Sequence, residues 1–167
     1  MKKINTELKD CFILEPDKFG DDRGYYSPFF SEKDYLENGL NSIKGIVQGA
    51  RSKSANAIVR GLHFQKDPYC QSKIVECLSG GVLDVVVDLR KDSPTYKKWI
   101  SVELTPENGR QLFIPRGFAH GFVSLKDNSL FQYLVDNDYK PSHEDGILWC
   151  DPEIGVNWNL ENYGITD

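Results

Sequence analysis

The run Val82-Leu83-Asp84-Val85-Val86-Val87-Asp88-Leu89 is dense in β-branched residues and is bounded by turn residues, Gly80-Gly81 before it and Ser93-Pro94 beyond it. On an extended chain, residues two apart share a face. Leu83, Val85, Val87 and Leu89 then make one wholly apolar face. Val82, Asp84, Val86 and Asp88 make the other, which carries two carboxylates. The apolar face requires a core. The mixed face suits a polar cavity or plain solvent, and the run alone does not choose between them.

Working outward, short β-rich runs alternate with turn clusters. The pattern predicts strands near residues 10–15, 43–50, 57–65, 73–78, 82–89, 98–104, 111–114, 120–125 and 129–135, with another extended piece starting at Tyr25-Tyr26. Thr105-Pro106-Glu107-Asn108-Gly109 and Lys126-Asp127-Asn128 are typical of the punctuation. One helix is expected, over 31–37, with Ser31 as N-cap, Asp34 three residues on and Gly39 where a helix would stop. Many short strands at near-regular spacing point to an all-β sandwich, jelly roll or barrel. The 167 residues form one expected domain, 1–167, without repeats or linkers.

Composition excludes several functions. The chain is 40% hydrophobic and 27% charged, with net charge −5 and no basic cluster beyond Lys97-Lys98, which argues against a nucleic-acid partner. The residues after Met1-Lys2-Lys3 are polar, and no apolar run approaches membrane-spanning length, so no signal peptide and no membrane segment are expected. The four cysteines, Cys11, Cys70, Cys77 and Cys150, form no C-x-x-C pair; reduced thiols in a cytoplasm fit best.

Two stretches carry chemistry. Arg60-Gly61-Leu62-His63-Phe64-Gln65 puts His63 and Gln65 on one strand face, while Gly61 can bend the backbone and re-aim Arg60. A cation, an imidazole and an amide so close together suit a lined pocket; a solvated edge strand is the plainer alternative. Pro115-Arg116-Gly117-Phe118-Ala119-His120-Gly121 adds a second histidine framed by turn residues. That second stretch also fits half of a metal-cupin pattern, P-x-G-x-x-H. The other half needs H-x-H and a downstream Glu, and here His63 stands alone; His143 lies in a Pro-Ser-His loop without a partner. No metal and no cofactor are expected.

These motifs, together with Gly20-Asp21-Asp22-Arg23-Gly24, the run from Leu83 to Thr95, the approach Gln111-Leu112-Phe113-Ile114 and the closing Gly146-Ile147-Leu148-Trp149-Cys150-Asp151-Pro152, resemble the dTDP-4-dehydrorhamnose 3,5-epimerase family. The similarity runs in order from about residue 11 to Trp158. It implies a cupin-type jelly roll, or double-stranded β-helix, with one short helix near the N-terminus. It also implies a homodimer exchanging N-terminal strands, and action at carbon 3, carbon 5 or both of a nucleotide-linked 4-keto-6-deoxy sugar. A sugar-nucleotide-binding cupin without turnover is the alternative.

The chemistry is independent of the family name. Epimerisation beside a ketone removes a weakly acidic proton from one face and returns one on the other. It needs a base, an opposed acid and positive charge near the enolate oxygen. His63 is a reasonable base, since an imidazole near pKa 6.5 is partly neutral at physiological pH. The resemblance assigns it that role, makes Lys73 the enolate stabiliser and Tyr133 the proton donor. It makes His120 and Arg60 ligands of the sugar or phosphates, and Arg23, Gln48 and Tyr139 nucleotide-side contacts. Pro28, Gly49, Ala50, Leu134 and Asp138 depart from the family pattern at the nucleotide end, so weak discrimination among pyrimidine nucleotides is expected. The family's base is held by a carboxylate from a Ser-x-Lys-Asp-like segment beyond the closing Trp, and residues 159–167 hold no such segment. Two expectations stand: a natural C-terminal extension supplies the carboxylate, or Asp84, on the polar face of its strand, substitutes for it as a site residue; the terminal Asp167 is the poorer candidate.

Overall fold

The computed structural model describes residues 1–41 and 45–165. Its strands are β1 (Lys2–Asn5), β2 (Phe12–Glu15), β3 (Phe19–Asp21), β4 (Gly24–Tyr26), β5 (Gln48–Ser54), β6 (Val59–Gln65), β7 (Lys73–Ser79), β8 (Val82–Asp88), β9 (Trp99–Leu104), β10 (Gln111–Ile114), β11 (Phe118–Ser124), β12 (Ser129–Val135) and β13 (Glu144–Gly146). The helix α1 (Glu32–Glu37) follows β4, and the Ser31 side chain accepts from the Asp34 amide as its cap. Most expected strands lie within two residues of these bounds. The strand expected over 43–50 instead begins at Gln48 and runs on to Ser54. Its reach is set by pairing with β12, from Gln48↔Val135 to Ser54↔Ser129; residues 43 and 44 lie outside the described ones. The pairing of β3 with β4, and the short β1 and β13, were not expected.

Two antiparallel sheets face each other. The six-stranded one runs β1-β2-β10-β7-β12-β5, and the five-stranded one β13-β6-β11-β8-β9. This is the cupin-type jelly roll. Alternation along each strand sorts side chains into three cores. Val75, Val82, Val86, Leu112, Ile114, Phe122 and their neighbours fill the space between the sheets. Phe12, Leu14, Ile74 and Phe113 line the outside of the larger sheet and are covered by Tyr35 and Leu40 of the α1 region. Leu83, Val85, Val87 and Val123 line the outside of the smaller sheet, covered by Trp158, Ile154 and Val156.

The run Val82–Asp88 is therefore buried on both faces, as all seven residues of β8 are. Its Leu83/Val85/Val87 face packs on a core as expected, the one outside the smaller sheet, and its Asp84 face points between the sheets. Asp88, at the strand end, is held by Arg90, Ser93 and Thr95 side chains at 2.5–2.9 Å.

A polar chain crosses the outside of the larger sheet. Arg51 Nε donates to Gln132 Oε1 (2.8 Å), Gln132 Nε2 to Glu76 Oε1 (2.6 Å), and Gln111 Nε2 to Glu76 Oε2 (3.2 Å). Gln111 Nε2 also donates to the Phe29 carbonyl (2.7 Å), and Tyr35 Oη lies 2.6 Å from that carbonyl and 2.8 Å from Gln111 Oε1. Glu76 is the one charged acceptor at its centre, so both glutamine amides have a fixed orientation. The chain ties the segment between β4 and α1 to four strands.

Candidate functional site

A cavity of about 400 Å³ opens between the sheets. The smaller sheet contributes Arg60 and His63 from β6 and His120 from β11; the larger contributes Lys73 from β7, Tyr133 from β12 and Gln48 from β5. Tyr139 and Glu144 also line it. Seven of the nine side chains expected at the site thus share one cavity. His63 and Tyr133 approach it from opposite walls. Lys73 sits beside Tyr133, because β7 and β12 pair with Tyr133 opposite Val75 and Val135 opposite Lys73.

Arg60 and His63 are three apart, and strict alternation would place them on opposite faces. A bulge resolves this. His120 pairs with His63 and Phe122 with Arg60, so β6 spends one residue more than β11. Gly61 absorbs it at φ +114°, where a Cβ would lie 2.6 Å from Gly121 Cα and 2.7 Å from the His120 carbonyl oxygen. Only glycine fits there. Gln65 then braces the adjoining loop, donating to the Tyr69 and Asp138 carbonyls and accepting from the Lys140 amide.

Burial dominates the electrostatics. It pushes the His63 imidazole down to about 3, with Lys73 and His120 adding to the fall and Glu144 opposing it. It lowers the Lys73 ammonium to about 8, against the pull of Asp84 and Glu144. His63 is thereby neutral and able to accept a proton at neutral pH, while Lys73 is largely charged. The His63 and His120 rings meet edge to face, 5.6 Å apart.

Asp84 differs from expectation. It was expected as a site residue that orients His63, but it is wholly buried and does not line the cavity. Its Oδ2 lies 2.8 Å from His120 Nε2 instead. Position explains this: Asp84 is on β8 and His120 on its neighbour β11, whereas β6, which carries His63, is on the far side of β11. Burial raises the Asp84 carboxyl and lowers the His120 imidazole, both toward neutrality. His120 Nδ1 has no partner among the described residues.

Arg23 is not brought to the cavity of its own chain. It sits on the β3–β4 hairpin, paired with Asp21, and its side chain is 90% exposed. The alternative holder of His63, Asp167, lies outside the described residues. Sequence reasoning missed Glu144, which gave no signal in a stretch without periodicity. It also missed Ser52, Gln71, Phe122 and Phe131 of the lining. Among the described residues, no three His, Cys, Asp or Glu side chains converge to hold a metal ion, and no helix is long and apolar enough to cross a membrane.

Comparison with known proteins bears on this geometry. Residues 5–166 match the family model described as dTDP-4-dehydrorhamnose 3,5-epimerase. A dTDP-4-dehydrorhamnose 3,5-epimerase of Shigella flexneri is 46% identical over 167 residues, which is all of this chain and 92% of the relative. The crystal structure of the Bacillus anthracis dTDP-4-dehydrorhamnose 3,5-epimerase with TDP and PPi bound superposes with a TM-score of 0.91 at 43% identity, covering 95% of this chain and 90% of that one. A Legionella pneumophila dTDP-6-deoxy-D-glucose-3,5-epimerase in complex with dTDP-4-keto-L-rhamnose gives 0.89 at 40% identity, covering 95% and 83%. With a matched model over nearly the whole length and relatives this similar, the chain belongs to the dTDP-4-dehydrorhamnose 3,5-epimerase family.

Proposed function

We propose that this chain epimerises a nucleotide-linked 4-keto-6-deoxy sugar, of the dTDP type, at carbon 3, carbon 5 or both, for deoxysugar (rhamnose-type) biosynthesis. The observation that carries the reading is the placing of His63 and Tyr133 on opposite walls of one cavity, with Lys73 beside Tyr133. Neutral His63 takes the proton from the carbon beside the ketone and becomes imidazolium; the electron pair moves onto the carbonyl oxygen as enolate. The Lys73 ammonium stabilises that oxygen. Tyr133 then delivers its hydroxyl proton to the opposite face of the carbon, and solvent exchange restores both groups. No step draws on a cofactor. His120, backed by Asp84, lines the cavity on the sugar side, while Arg60, Gln48 and Tyr139 face the nucleotide diphosphate.

Arg23 completes the site from a second copy. The β3–β4 hairpin forms its own two-stranded sheet apart from the main two, and its Phe19, Tyr25 and Tyr26 are 61%, 64% and 69% exposed. In the proposed homodimer the N-terminal strands are exchanged, and the exposed hairpin that follows β1 and β2 travels with them. The four cysteines are free thiols, which supports a cytoplasmic setting.

Proton NMR of dTDP-4-keto-6-deoxyglucose in deuterated water tests the mechanism. Deuterium should enter at carbon 3 or 5 with inversion. His63→Ala should abolish both exchange and inversion, and Tyr133→Phe should keep exchange while losing most inversion. Binding without any exchange in the parent protein would establish the non-catalytic cupin instead. Normal inversion in Tyr133→Phe would make Tyr133 structural.

A further inference from the structure

Lys73 stands where three strands end together. It is the first residue of β7, and its two cross-strand partners, Ile114 and Val135, are the last residues of β10 and β12. The ladder therefore stops at the lysine on both sides, and terminal rungs are where sheets open most readily. Pro115, next after Ile114, has no amide hydrogen to continue the pairing. Just beyond the last rung lies a clamp made by one residue from each strand end. The Asp136 carboxylate accepts from the Ser72 amide at 2.7 Å, from the Ser72 hydroxyl at 2.6 Å and from Arg116 Nε at 3.1 Å. Its side chain is only 2% exposed, and a carboxylate is costly to bury unless donors surround it. Asn137 extends the clamp, donating to the Pro68 and Cys70 carbonyls, while Gln71 donates to the Asn137 carbonyl. Ser72, Arg116 and Asp136 do not line the cavity, so the clamp acts on the site only through its neighbours.

We propose that Asp136 is a positioning residue for Lys73: with Ser72 and Arg116 it closes the open end of the sheet and so holds the lysine aimed at the enolate oxygen. The proposal rests on the reading of Lys73 as the group that stabilises that oxygen. Ser72 is bound through both its backbone and its side chain, which fixes the peptide leading into Lys73 in place and in orientation. The charge on the acceptor makes these bonds stronger than neutral ones. Arg116 meets the carboxylate from outside, its own side chain 50% exposed, and supplies the counter-charge that a buried carboxylate needs. Such positioning has chemical weight, since a displacement of about 1 Å can cost on the order of a hundredfold in rate. Asp136 itself touches no substrate and moves no proton.

The test is a double-mutant cycle on deuterium exchange into dTDP-4-keto-6-deoxyglucose, followed long enough to measure slow residual exchange. Asp136→Asn and Ser72→Ala are each made in the parent and in Lys73→Ala. In the parent, Asp136→Asn should lower the maximal exchange rate about tenfold and Ser72→Ala about threefold, with KM and the Kd of dTDP, which has no ketone, both within about twofold. In the Lys73→Ala background each substitution should change the residual rate by less than about twofold, because the group it positions is gone. Losses that multiply in the double variants, or a dTDP Kd that rises together with the rate loss, overturn the proposal and make the clamp a fold element. Ser72→Ala keeps the buried carboxylate and its arginine, and carries the same cycle if Asp136→Asn fails to fold. Full exchange in Lys73→Ala removes the reading of Lys73 itself. A large loss in Lys73→Ala beside full exchange in both Asp136→Asn and Ser72→Ala removes only the role given to Asp136.

Discussion

Acid should unfold this protein sooner than an ordinary carboxylate ledger suggests, and His63 is the reason. In the folded state its imidazole titrates near 3 because it is buried, whereas in the unfolded chain it titrates near 6.5. Between those values the unfolded chain holds a proton that the native one lacks. Stability then rises with pH across the window and is lost on acidification through it, by about 1.4 kcal/mol per pH unit at full slope. From pH 7 to pH 5 the loss from this one residue is about 2 kcal/mol. The His120–Asp84 pair adds little, although burial shifts both. Folded, the pair holds one proton between its two members, on either side of the 2.8 Å contact. Unfolded, between roughly pH 4.5 and 6, it also holds one, on the histidine. The two counts cancel in that range, and above it the pair is the same in parent and variant. Glu76, raised by burial, works in the opposite direction, but it is common to both proteins compared. Urea unfolding followed by tryptophan fluorescence at pH 7, 6 and 5, for the parent and for His63→Gln, measures the difference. The parent should lose about 2 kcal/mol more than the variant over this range. Equal losses in the two proteins would refute a neutral, buried His63.

Gly61→Ala should cost about 3 kcal/mol or more, because its Cβ would meet backbone atoms at 2.6 and 2.7 Å from a left-handed conformation; a urea midpoint unchanged from the parent would refute the bulge as drawn. In competition binding, dTDP should be preferred over UDP by less than about a hundredfold, or about 2.7 kcal/mol, since Pro28, Gly49 and Ala50 offer no polar side chains for reading the base. A larger preference would show that other residues read the thymine.

The strands that carry the site were legible because alternation and turn residues agree along them. β10 and β12 fell on the expected residues. The cavity set, His63, Lys73, Tyr133 and His120, was legible from motifs rather than from periodicity. What escaped depends on partners distant in sequence. Asp84 looked able to serve any histidine facing its strand, and sheet order alone decides that the neighbour is His120 and not His63. Glu144 sits on a three-residue edge strand that exists only because β6 offers it hydrogen bonds. The Gln48 end of β5 was blurred for a similar reason: the strand stops where β12 stops, a boundary no local residue announces.

The polar chain over the larger sheet has an evolutionary consequence. Gln132 and Gln111 both turn their amide nitrogens toward Glu76, so each depends on a choice made at another position. Replacing Glu76 by an uncharged residue strands two donors at once, and replacing either glutamine strands an acceptor beneath the helix or beside Arg51. Every single-step path away from this arrangement crosses a poorer intermediate. Positions 51, 76, 111 and 132 should therefore drift together across descendants, as one unit of inheritance spread over four strands. The cavity on the other face of the same sheet, where Tyr133 and Lys73 answer to the substrate, is left to follow a separate history.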